Sequence, residues 1–224
     1  MIRRPPAVLA LAARLGATLE PALSRVSLRQ TGLMRDHPGA RDMAFKAAQT
    51  IDLNQTAFEW RASTGPFGCV AVTDAFRNEI GALDVRVLGL IPLAHLAGGG
   101  PIAKGEVMRY LAELAWAPDA ILRNPFLTWV VVNAKTLRVS AGHGTARGEV
   151  ELRLDADGRI AEVVASGRPR LEGKLTVERP WAGAFSDYRR HQGRWIPFAG
   201  EVSWTLEGMP FVYWQGRLTS WVAT

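Results

Sequence analysis

From about Met43 to the end of the chain, apolar and polar positions alternate in short runs. The segments Phe45-Lys46-Ala47-Ala48-Gln49, Phe58-Glu59-Trp60-Arg61 and Cys69-Val70-Ala71-Val72-Thr73 read as strands, with turn residues at 52–54 and 64–68 between them. Leu83-Asp84-Val85-Arg86-Val87 alternates strictly. An apolar stretch, Leu88–Ala97, follows and is interrupted by Pro92. Beyond Phe126 the pattern predicts strands over Thr128–Asn133, Leu137–Ala141, Glu149–Leu154, Ile160–Ala165, Lys174–Val177, Ser203–Leu206 and Phe211–Val222. Asp155-Ala156-Asp157-Gly158 is a hairpin signal between two of these.

Two segments carry helical spacing instead. Near the start, Pro5-Pro6 opens a run in which Val8, Leu11, Leu15 and Leu19 recur on one face. In mid-chain, Gly98-Gly99-Gly100 leads into a helix predicted from Lys104 to Trp116 and stopped by Pro118, with a further turn over Asp119–Arg123. Val107, Tyr110, Leu111 and Leu114 share its apolar face. Glu106, Arg109, Glu113 and Trp116 lie together on another side, and a tryptophan among charges implies that this side is covered too. Strands on both sides of one two-faced helix favour a mainly β (α+β) fold: a single curved antiparallel sheet with the helix across its concave face. Residues 1–41 form a basic N-terminal helical arm and first strand. Residues 42–224 form the β-rich domain, with an inserted helix at 104–123.

Composition narrows the chemistry. One cysteine, Cys69, excludes a disulfide framework and a thiolate zinc site. No stretch reaches the roughly 18 uninterrupted apolar residues of a membrane-spanning helix. The apolar run from Ala7 to Ala13 is short for a secretory signal and is broken by Arg14, so a cytoplasmic protein is expected. The net charge of +6 is concentrated in residues 1–41, where seven arginines face only Glu20 and Asp36. Such an arm suits weak contact with an anionic membrane. The alternative is a solvated segment in a chain whose basic residues are mostly arginine. No basic run is interleaved with aromatics, so nucleic acid is not an expected partner. The four histidines are scattered without metal-ligand spacing, so neither a metal nor a cofactor is expected.

Eight tryptophans, six of them after residue 128, suit either a packed β core or the wall of an amphiphile pocket. Trp60, Trp116, Trp129, Trp181 and Trp204 are the candidate wall residues. Arg109 and Glu113 form an i,i+4 pair beside Trp116. Asp187 and Tyr188 add polar groups on a later strand, and Asp74 ends an earlier one. Glu113, Asp187 and Asp74 are the candidate carboxylates for acid–base work, against a purely structural role as ion pairs.

Three stretches are distinctive: Gln30-Thr31-Gly32-Leu33-Met34-Arg35, Arg109–Pro118 and Pro180–Arg189. With Phe58-Glu59-Trp60, Gly193, Pro197 and Trp204, they resemble an uncharacterised bacterial family of unknown function. More distantly, the order of elements resembles the bacterial lipoprotein-carrier fold. That resemblance implies a half-barrel whose helices plug a hydrophobic cavity able to hold acyl chains. The expected role is therefore binding of an apolar or amphiphilic small molecule, lipid-like or isoprenoid-like. The alternatives are a cofactor-independent isomerase, cyclase or hydrolase using the same cavity, and an interaction module with a filled core.

Overall fold

The alternating stretches pair in the order in which they occur. The computed structural model describes residues 4–88, 90–173 and 175–224, so Met1–Arg3 of the basic arm, Gly89 and Lys174 lie outside it. The first meander comprises β1 (Arg25–Met34), β2 (Met43–Asp52), β3 (Phe58–Thr64), β4 (Val70–Arg77), β5 (Ile80–Val87) and β6 (Ile91–Gly98). The second comprises β7 (Thr128–Asn133), β8 (Thr136–Ala141), β9 (Gly148–Leu154), β10 (Ile160–Glu172), β11 (Leu175–His191), β12 (Arg194–Leu206) and β13 (Met209–Ala223). β13 returns to pair with β1, from Val26 opposite Ala223 to Met34 opposite Trp214. One 13-stranded antiparallel half-barrel results, in the order β6-β5-β4-β3-β2-β1-β13-β12-β11-β10-β9-β8-β7.

This order dictates the place of the helix. β6 and β7 are opposite edges of the sheet, so the chain joining them must cross it. The crossing helix, here α2 (Pro101–Ala112), packs against β4, β5 and β6 on one side and β8, β9 and β10 on the other. Val107, Tyr110, Leu111 and Leu114 are fully buried, and Glu113 and Trp116 on the other side are covered as well. The helix begins at Pro101 rather than Lys104, because proline fits the first helical turn, where no N–H is needed. Its α-helical part ends at Ala112. Glu113–Ala115 tighten into a 3-10 turn, with the amides of Trp116 and Ala117 both donating to the Glu113 carbonyl. A last turn, Ala120–Arg123, precedes β7.

The N-terminal helix, α1 (Pro6–Leu15, so that the turn just described is α3), buries Val8, Leu11 and Leu15 in the main core. Leu19, expected on the same face, lies outside the helix and is exposed. Gly16 ends α1 in the left-handed region (φ 76°), and the chain turns away there. A Cβ at Gly16 would meet the Gly193 carbonyl oxygen at 2.3 Å, so only glycine permits this approach to the β11–β12 turn. The buried Arg4 guanidinium donates to the carbonyls of Leu127, at 2.7 Å, and Asn124. Among the described residues, no helix is long and apolar enough to cross a membrane, and no three His, Cys, Asp or Glu side chains converge as a metal would require.

Candidate functional site

Direct cross-strand partners share a face of the sheet. The observed registers therefore set Gln49 (β2), Trp60 (β3), Asp74 (β4) and Leu83 (β5) side by side across the concave face. Gln30 on β1 stands diagonally beside Gln49, and its Oε1 accepts the Trp60 indole N–H at 2.9 Å. Above this row lies the C-terminal end of α2. Arg109 donates from Nη1 to Asp74 and from Nε to Glu113, the latter at 2.9 Å. The second oxygen of Glu113 accepts from the Gln49 amide. The Arg109 guanidinium also stands over the Phe58 ring at 4.7 Å and the Trp60 ring at 5.4 Å.

Next to the polar row the sheet is bare. Gly32 on β1 and Gly200 on β12 each stand opposite Gly216 on β13, and Phe45 and Phe185 flank the row. A Cβ at Gly216 would fall 2.3 Å from the Trp214 ring, and one at Gly200 would fall 3.2 Å from the Trp116 ring. The glycines therefore let large rings lie directly on the backbone. Trp214 stacks on Phe45 at 5.6 Å and meets Trp116 edge-on at 6.1 Å, while Trp116 meets Phe185 edge-on at 5.2 Å. Trp116 is pinned in this position by its N–H, which donates to the Pro197 carbonyl at 2.9 Å.

Between this aromatic shelf and the end of α2 lies a cavity of about 330 Å³. Its apolar wall includes Met34, Trp60, Leu83, Trp116, Trp181, Phe185, Val202, Trp204, Tyr213 and Trp214. Its polar lining includes Gln30, Gln49, Asp74, Arg109, Glu113 and Arg168. Arg168 lies over Trp181 at 4.8 Å and Trp204 at 5.4 Å, and its Nε donates to the Gly105 carbonyl at 3.2 Å. Burial raises the Glu113 carboxyl above its ordinary range, against the opposing pull of Arg109. Glu106, one turn before Arg109 on α2, is pushed up to about 8 by burial and then by the Asp74 charge, with Arg168 and Arg109 opposing.

Most of the expected site residues meet here. Trp60, Asp74, Arg109, Glu113, Trp116, Trp181 and Trp204 all line the cavity. Asp187, Tyr188 and Trp129 do not. Along β11, Trp181, Gly183 and Phe185 face inward in alternation, but Asp187 takes a positive φ of 56° and interrupts the period. Its carboxylate sits at the surface between Arg189 and Arg217, each at 2.8 Å. Those arginines hold its pKa below the ordinary carboxylate value, Arg189 foremost through its hydrogen bonds. Tyr188 turns inward but elsewhere, its hydroxyl donating to the Ile160 carbonyl at 2.7 Å. Trp129 is buried on the edge strand β7, near α1 rather than α2.

Sequence reasoning missed Gln30, Gln49, Arg168, Phe185 and Trp214. Gln30 and Phe185 sat inside the distinctive stretches, which signalled them collectively. For Gln49 and Arg168 the signal is cross-strand register, which no local pattern contains.

The half-barrel with a helix across its concave face has solved counterparts. A LolA superfamily protein from Nitrosomonas europaea superposes with a TM-score of 0.52 at 9% identity, over 98% of this chain and 93% of that one. A putative outer membrane lipoprotein-sorting protein domain from Vibrio parahaemolyticus gives 0.50 at 8% identity, over 97% and 90%. At such identities the likeness defines the fold: this is a LolA-like half-barrel. Residues 3–216 match the family of unknown function DUF6544, and the chain belongs to that family. No curated protein matches it in sequence. The three stretches that carried the resemblance converge on the cavity, through Gln30, Met34 and Arg35, through Arg109, Ala112, Glu113 and Trp116, and through Trp181, Gly183 and Phe185.

Proposed function

We propose that the cavity binds an apolar or amphiphilic small molecule, its chain against the tryptophans and its polar end toward Arg109 and its partners. The observation that carries this reading is a tryptophan-walled space with a largely buried charged cluster, Asp74, Arg109 and Glu113, built along one side. Pockets of this kind are mostly apolar, with a few fixed polar groups that orient the ligand. The shared fold supports it, since the Vibrio parahaemolyticus counterpart is a putative lipoprotein-sorting domain.

Native mass spectrometry of freshly purified protein, with tryptophan emission titrated by a medium-chain amphiphile, tests the reading. A co-purifying lipid-sized mass and a saturable emission change are expected, and Trp116→Phe is expected to reduce the change without unfolding the protein. Absence of both signals would overturn it. A cofactor-independent acid–base enzyme is the second reading, favoured by the two carboxylates, Asp74 and Glu113, that flank Arg109 at the cavity wall. It predicts that a bound compound is released as a different chemical species, an isomer or a hydrolysis product resolved by chromatography and NMR, whereas a carrier returns it unchanged.

A further inference from the structure

The polar side of the cavity is specific in what it leaves unpaired. Gln30 and Gln49 are buried to 2% and 3% residual exposure. The Gln30 amide is oriented by Trp60, whose N–H occupies its oxygen, so its nitrogen is the free end. The Gln49 amide is oriented the other way, because its nitrogen donates to the Glu113 carboxylate and its oxygen is free. Asp74 gives one oxygen to Arg109 and keeps the other. Gln30 Nε2, Gln49 Oε1 and Asp74 Oδ1 are all buried without a hydrogen-bond partner. Such atoms are rare in folded proteins, and here three of them belong to neighbouring residues that line one cavity.

These atoms form a set of one donor group and two acceptors. Their complement is a ligand group that offers two hydrogen-bond donors and accepts at least once. A carboxylate or phosphate offers acceptors alone and would set its charge against Asp74 Oδ1 and Gln49 Oε1. We propose that the cavity selects a neutral, hydroxyl-bearing amphiphile with a diol head group, rather than an anionic one of equal chain length. This deepens the reading of the cavity as an amphiphile site and rests on it.

The test compares 1-monolauroylglycerol with laurate, equal in acyl length, titrated below their micelle concentrations at pH 7.5 and followed by tryptophan emission. The glyceride is expected to bind at least about ten-fold more tightly, the factor that one buried acceptor left unpaired supplies. Asp74→Asn presents N–H donors in place of the acceptor and is expected to shrink or reverse the preference, whereas Asp187→Asn at the surface leaves it intact. If laurate binds as well as the glyceride to the wild-type protein, the head-group inference fails and the amphiphile site stands. If neither ligand binds, the amphiphile site itself fails. The wild-type comparison needs no variant to fold.

Discussion

Glu106 shows how a single side chain can be set against the fold around it. It lies on the crossing helix near Asp74, one of its oxygens is buried without a partner, and its pKa is raised to about 8. A carboxyl whose pKa is higher folded than unfolded binds its proton more tightly in the native state. Its contribution is therefore intact below the unfolded value near 4.5 and is lost as pH rises through 8. Between these limits stability is expected to fall by up to about 1.4 kcal/mol per pH unit from this group. Glu106→Gln keeps the shape and removes the titration. Chemical denaturation at pH 5.5 and 8.0 is expected to show a smaller loss in the variant than in the wild type, and equal losses would place the Glu106 carboxyl in contact with water. Glu113 is raised by burial as well, but unlike Glu106 both its oxygens accept hydrogen bonds, from Arg109 and Gln49.

At the scale of elements, the glycine row couples three strands to the shape of the cavity. Gly216 has ordinary extended backbone, so a side chain there meets no dihedral penalty, and the three atoms nearest to its Cβ all belong to the Trp214 ring. Gly216→Val is expected to fold with a loss of about 1–3 kcal/mol from overpacking and to displace Trp214 from its place on Phe45 and Trp116. Amphiphile binding by tryptophan emission should then weaken at least ten-fold, while far-ultraviolet circular dichroism stays that of the wild type. Unchanged binding would mean that the shelf is not part of the site. The spacing of Val107, Tyr110, Leu111 and Leu114 made the crossing helix legible from sequence, and Trp116 among charges foretold its second buried side. Gly32 belongs to one of the distinctive stretches, whereas Gly200 and Gly216 belong to none, and the alignment of the three across β1, β13 and β12 comes from register alone.

Across the whole molecule, the two meanders are joined in one sheet by the β1–β13 ladder and tied again by the crossing helix. β1 alternates between buried and exposed positions over Val26, Leu28 and Gln30, whereas most of β6 is exposed on both faces and one of its edges has no neighbouring strand. Amides on β1 and β13 are expected to exchange with deuterium only through global unfolding, and those on β5 and β6 through local opening at lower free energy. Equal protection of β6 and β1 would show that the sheet opens as a single unit.

The sequence by itself determined most of the strands, the helix that interrupts them, the curved sheet it must cross, and the stretches that line the cavity, but it left β6 as an apolar stretch and marked only Ser203–Leu206 of β12. Those features depend on periods of two and of 3.6 residues, which are local properties of the chain. The tertiary structure decided which residues of different strands became neighbours: Gln49 beside Trp60 beside Asp74, three glycines in a row, and Arg168 brought over Trp181 and Trp204. It also removed Asp187 from the site, through one residue with positive φ that broke the alternation of β11. Cross-strand neighbours are fixed by turn lengths, bulges and the return of β13 to β1, and a one-residue change in any of these would exchange the faces.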